Sequence, residues 1–229
     1  MSKIRRGYKM KKIALVLLMA AVNFVPTPVL AFGLPKIPGI PILGGGGAAV
    51  DVQGFIDKAS ATNKLFQESA LTLAMAIGDK TKVAELEALK KALDDTTDPK
   101  EKDAIVKKIS EASNAALTAA SEEKEAAAAR LAEAKGEQLE KYLGAAKNFA
   151  LGALQATELV PAGQSALASL QSNPLQATKL LGLKRTISDI TGIVSNSTLA
   201  LTKVPSIFAA ANIPLTLPSS GKGVVTEAQ

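Results

Sequence analysis

The sequence predicts an all-α protein, in which a long antiparallel helical hairpin packs with several shorter helices into an elongated bundle. Three observations predict it. Apolar residues recur at three- and four-residue spacing through Val52, Phe55, Ile56, Ala59, Phe66, Ala70, Leu73 and Ile77, the period of a helix with one buried face. Asp98, Pro99 and Glu101 set out an N-cap, a first-turn proline and an acidic N3 residue in the order a helix start prefers. From Pro99 there is no further proline until Pro161, and the Ala, Glu and Lys that fill the interval favour helix at almost every position.

The chain opens with Lys3, Arg5, Arg6, Lys9, Lys11 and Lys12 ahead of an apolar run from Ile13 to Val22. A Pro26-Thr27-Pro28 breaker and the small-residue site Val29-Leu30-Ala31 follow. That order of charge, apolar run and small residues is the layout of a secretory signal peptide spanning residues 1–31. The expected location is periplasmic or extracellular, after cleavage near Ala31. The chain carries 27 Lys+Arg against 21 Asp+Glu, and the basic excess lies entirely in this segment. The remainder is formally neutral, so the basicity of the whole chain does not point to nucleic acid or an anionic surface.

Residues 32–50 read FGLPKIPGIPILGGGGAAV. Pro35, Pro38 and Pro41 stand three apart, on one face of a polyproline II helix, and Gly44 to Gly47 make a flexible joint. A tether is expected here. Asp51 then caps the first helix. Gly78-Asp79 breaks or bends its pattern, which resumes through Val83, Leu86, Leu89 and Leu93 to a polar turn at Asp94–Asp98.

Residues 51–93 and 99–141 are each 43 long, which suits the two arms of a hairpin over 51–143. At ~1.5 Å per residue each arm would extend roughly 65 Å. In that register paired positions sum to about 192, so that Phe66 faces Ala126 to Ala129 and Ile77 lies near Ala115 and Ala116. The buried stripe of the second arm is expected at Ile105, Ile109, Ala112, Ala116, Leu131 and Ala134. Gly136, Gly144 and Gly152, eight apart, suggest a close-packed seam, or equally mark where the long helix weakens.

Composition shifts near Tyr142: residues 79–141 hold 27 charges, whereas 145–215 hold seven. Residues 144–217 are therefore expected to form an apolar region of short helices packed on the hairpin, at about 144–159, 162–171, 174–181 and 185–203. Disorder is expected over 218–229.

Histidine, cysteine and tryptophan are absent. Without imidazole or thiolate there is no Ser-His or Cys-His activation, no histidine-based zinc site and no disulfide. Ser121-Glu122-Glu123-Lys124 matches the S-x-x-K spacing of a lysine-activated serine, but a charge-rich helix and the missing Lys-Thr-Gly element argue against that role. Gly44–Gly47 lack the Gly-Lys-Ser/Thr of a phosphate loop. Asp94, Asp95 and Asp98 lack calcium-loop spacing and read as a turn and cap. Glu133, Glu137 and Glu140 share a helical face without the Glu-x-x-His of a di-metal centre. Asn196-Ser197-Thr198 is a formal glycosylation sequon. No catalytic, cofactor-binding or metal-binding residue is assigned, and no cofactor is expected.

The expected function is that of an exported, non-enzymatic helical protein, a structural, adaptor or chaperone-like component of the cell envelope with a protein partner there. The alternative is a lipid-binding or membrane-active helical protein, with the weakly charged half meeting a membrane surface. No basic patch interleaved with aromatics supports nucleic-acid binding. A homo-oligomer that completes a four-helix seam stays open beside a monomer.

Overall fold

Asp51 starts the first helix as expected, its carboxylate accepting from the Gly54 backbone N–H at 2.9 Å. A computed structural model of the chain describes residues 51–171, 177–223 and 225. The expected signal segment and tether lie outside these residues. Among them the fold is all-α, a packed helical bundle without strands. The helices are α1 (Val52–Ile77), α2 (Lys80–Asp95), α3 (Pro99–Glu122), α4 (Lys124–Ala132), α5 (Glu137–Gln171), α6 (Ala177–Ser195) and α7 (Val204–Ala210), with a π-helical turn at Leu199–Lys203 ahead of α7.

α1 is the central helix, packed along α5, α3 and α6, and α5 packs in turn on α6. Its buried face is wide because three neighbours share it: Phe55, Ala59, Leu65, Phe66, Ala70, Leu73, Ala74 and Ile77 are all buried. Phe66 and Phe149 stack with ring centroids 4.4 Å apart and planes tilted by 34°, an arrangement worth about 0.5–1.5 kcal/mol beyond area burial. Next to them Gly152 lets the two backbones close, since a Cβ there would stand 3.1 Å from the Phe66 Cβ and 3.3 Å from its Cα. Thr62 Oγ1 donates to Gln155 Oε1 across the same buried interface at 3.2 Å.

The hairpin turns over Thr96–Asp98, as expected. Asp98 caps α3 by accepting from the Lys100 and Glu101 N–H groups at 2.8 and 3.0 Å, with Pro99 in the first turn. Each arm is broken once or more. α1 stops at Gly78, which turns extended (ψ 155) while its N–H still reaches the Ala74 carbonyl, and Asp79 restarts α2 by accepting from Thr81 and Lys82. The second arm, expected to run unbroken, bends at Glu123 (φ −102, ψ 47) and stops at Gly136, whose φ of +54 belongs to the left-handed region. α4 consequently leaves the hairpin axis and packs mainly on α7.

That bend replaces the expected partner of Phe66. It packs on Phe149 and Gly152 of α5, while α4 meets the C-terminal end of α1, where Arg130 Nε donates to the Ile77 carbonyl at 2.9 Å. The guanidinium satisfies a carbonyl that the helix end leaves without an intrahelical donor. Of the three glycines spaced eight apart, Gly152 makes the close approach and Gly136 is a stop. α3 buries two polar atoms without partners among the described residues, Ser113 Oγ and Asn114 Oδ1. Their cost, on the order of 1–3 kcal/mol each, is set against the burial of Ile109, Ala116 and Leu117 on the same helix.

The weakly charged half is built from fewer, longer helices than expected. α5 passes through Pro161 without ending, because that proline is exposed and water can take the carbonyl it frees. Gly163, two residues on, seats α5 against Phe55 and Ile187. α6 spans Ala177–Ser195 across Gly182; the expected start at Asn173-Pro174 lies outside the described residues. The π turn directly precedes Pro205, where the Val204 N–H bonds back five residues to Leu199, so the hydrogen-bond register shifts just where a proline removes a donor. α7 ends in a Schellman motif: Asn212 takes φ 58, Ile213 N–H reaches the Phe208 carbonyl and Asn212 N–H the Ala209 carbonyl. Residues 218–223, expected to be disordered, lie against α5 instead, with Gly221 N–H donating to Glu158 Oε1 at 2.9 Å.

Candidate functional site

α2 is the least embedded long helix. Beyond its junction with α1 it packs chiefly on α3, and Leu86 is its one fully buried residue. Val83, Leu89 and Leu93 complete the stripe half-buried, facing a partner helix whose Ile105 and Ile109 are each 8% exposed. Residues 80–109 thus form a two-helix arm, thin enough that most of its side chains face solvent.

Its surface is of mixed sign. Lys82 and Glu85 pair at 3.4 Å and Lys107 and Glu111 at 3.9 Å, exposed pairs worth roughly 0.2–1 kcal/mol each. Val106, 39% exposed, is the arm's exposed large apolar side chain. At the base, the Asp79 carboxyl is held below the usual carboxylate range, first by the Lys82 backbone N–H and further by the Thr81 N–H and the charges of Lys82 and Arg130, against a smaller opposing effect of burial. Arg130 therefore serves both helices of the junction, capping α1 by hydrogen bond and favouring the ionised cap of α2 by charge. Nothing in the spacing of Arg130 marks it, because its partners are 53 and 51 residues away.

The motifs with chemical spelling are occupied structurally. Ser121 Oγ donates to the Thr118 carbonyl at 2.6 Å, and Lys124 lies past the helix break, paired with Glu125 at 3.8 Å. Asp98 is an N-cap, and Thr96 Oγ1 donates to Glu101 Oε2 at 2.7 Å across the same turn. Glu133 and the pair Glu137, Glu140 fall on opposite sides of the Gly136 stop, so the shared helical face is broken. Among the described residues no group of three or more His, Cys, Asp or Glu is placed to hold a metal ion. Asn196 turns its amide back to the Gly192 carbonyl at 2.9 Å. Gly44–Gly47 lie outside the described residues.

One open surface groove, about 370 Å³, is lined by Pro205, Ala209, Asn212, Ile213, Pro214 and Leu215 beside α7. Its lining side chains are apolar apart from Asn212, and among the described residues no ionisable side chain lines it. No helix among the described residues is long and apolar enough to cross a membrane. Comparison with protein-family models, with characterised proteins and with solved structures finds no match.

Proposed function

We propose that the chain is an exported, non-enzymatic adaptor or structural component of the cell envelope, which presents the α2–α3 arm to a protein partner. The observation that carries this reading is the arm itself: two amphipathic helices held by one thin stripe, with their outer faces covered by no other long helix among the described residues. Mixed charge around an exposed Val106 suits recognition of a protein surface, where a polar rim surrounds an apolar contact. The signal-like order of residues 1–31 supports export.

The alternative, a lipid-binding or membrane-active protein, draws on Leu181, which is 74% exposed on α6. Burial of Phe149, Ala150, Ala153, Leu183, Ile190, Ile207 and Phe208 inside the bundle favours the adaptor reading, because little of the weakly charged half is left for a bilayer.

A photo-crosslinking residue at Val106 and another at Ser188, on the exposed face of α6, would test the proposal in cells. The expected result is one discrete adduct from position 106 and none from 188, together with no sedimentation of the purified chain on liposomes. Liposome binding abolished by Leu181→Ser would establish the alternative, and turnover of a small substrate by the purified chain would overturn both.

A further inference from the structure

α2 turns Leu86, with Val83, Leu89 and Leu93, toward α3, and at 3.6 residues per turn the opposite side of the helix carries Ala84, Ala88 and Ala92, all exposed. Along one flank of that side run Lys80, Glu87, Lys91 and Asp94. These four are also exposed, and none of them has an ion-pair partner among the described residues. The other flank carries Glu85, which Lys82 already pairs at 3.4 Å. Four unpaired charges of alternating sign along a single edge specify what can lie against this face.

Laid antiparallel about a two-fold axis at Ala88, a second copy of α2 pairs positions whose numbers sum to about 176, and in such a pair each flank meets the same flank of the other copy. Ala84 then faces the second copy's Ala92, and Ala88 faces itself. Lys80 falls within one turn of the second copy's Asp94, and Glu87 within one turn of its Lys91. Signs alternate along the joined flank except at the axis, where the two Glu87 meet, each with a Lys91 of the other copy beyond it. The alanines let the helix axes close to about 8 Å, the short end of the packing range, and the charges select the occupant.

We infer that the outer face of α2 takes a second copy of this chain in an antiparallel pair centred on Ala88, an inference that rests on the reading of the arm as an interaction surface and names the occupant of its α2 side. α3 packs on the other side of α2, so Val106 stays outside the pair. Faces only about 24 Å long bury less than the roughly 1,200 Å² of stable complexes, which makes the pair transient.

Trapping tests it. The chain has no cysteine, so one introduced thiol reports one position. At an axis separation of about 8 to 10 Å, facing Cα atoms on helices of about 2.3 Å radius stand roughly 4 to 5 Å apart, within the span of a disulfide. In the full chain, Ala88→Cys treated with oxidised glutathione should form a covalent dimer at least about tenfold faster than Ser188→Cys on exposed α6, because the pair holds the two thiols together. Each rate is taken relative to that thiol's reaction with a small aromatic disulfide, which removes differences in thiol acidity. Ala84→Cys and Ala92→Cys should each react slowly alone and cross-link when mixed. Lys91→Glu in the Ala88→Cys chain should slow trapping to the Ser188→Cys rate, and adding Glu87→Lys should restore it, with helical content unchanged throughout. Equal relative rates at 88 and 188, trapping at Ala84→Cys alone as fast as at Ala88→Cys, or no effect of Lys91→Glu would overturn the proposal. The pair and the envelope partner fail separately: an adduct at 106 in cells with no trapping at 88 leaves the partner without the pair, and trapping at 88 with no adduct at 106 leaves the pair without the partner.

Discussion

Glycine has opposite meanings at positions 152 and 182. Gly152 brings α5 onto the backbone of Phe66, with 3.1 to 3.4 Å left for a Cβ, whereas a Cβ at Gly182 would meet nothing within 4 Å. Gly152→Val forces two further methyl-sized groups between close helices and should cost about 1–3 kcal/mol, while Gly182→Ala removes unfolded-chain freedom from an exposed helix position and should gain about 0.5–1 kcal/mol. Urea midpoints of the two variants would check the signs; a stabilised Gly152→Val would show that the α1–α5 contact is slack. Glu68 makes a pH-dependent counterpart. Burial raises its carboxyl pKa above the ordinary 4.5, and Lys64, 3.8 Å away, opposes the shift without cancelling it. A carboxyl that binds its proton more tightly folded than unfolded loses stability for the protein as pH rises from its unfolded value through its folded one. Glu68→Gln should therefore raise the thermal midpoint at pH 7 and lose that advantage as pH falls through the raised pKa toward 4.5. Thermal melts at pH 4 and pH 7 would show it, and an advantage that persisted unchanged at pH 4 would count against the desolvation account.

The elements whose ends carry their own chemistry were legible in sequence, and those whose ends depend on a neighbour were not. Asp51 and Asp98 cap through side-chain oxygens three residues or fewer from their donors, so local pattern suffices. Gly78-Asp79 was readable as a break for the same reason. The bend at Glu123 has no proline or glycine to announce it; α4 turns away because α7 covers its apolar side and Arg130 reaches the end of α1. Pro161 misleads in the other direction, since a proline on the wet face of a helix gripped at Gly163 by Phe55 leaves α5 intact. Register fails with it: once α5 replaces α4 beside Phe66, large-against-small pairing is realised at Gly152 rather than at Ala126–Ala129. The candidate arm was visible as half of a hairpin. That no other described helix covers its outer faces depends on where α5 and α6 pack, and those long-range choices leave no local spacing to read.

For the whole molecule the consequence is a graded stability. α1, α5 and α6 share one core in which Phe149, Leu183, Ile190 and Leu73 are completely enclosed, and opening any one of them exposes the others. The arm contributes to that core a single fully buried residue from α2, Leu86, so its opening exposes far less apolar surface than the opening of α1 or α5. Local opening free energies follow the apolar surface exposed by each opening. Hydrogen exchange under native conditions with small additions of urea should therefore separate two sets of amides: those of residues 82–109, exchanging through a low-energy opening with a shallow urea dependence, and those of α1 and α5, exchanging only through global unfolding with the full dependence. A shared slope and a shared free energy for both sets would mean that the arm is bound into the cooperative unit. Two sets would give the arm what an adaptor surface needs, the freedom to reshape against a partner while the bundle that positions it stays folded.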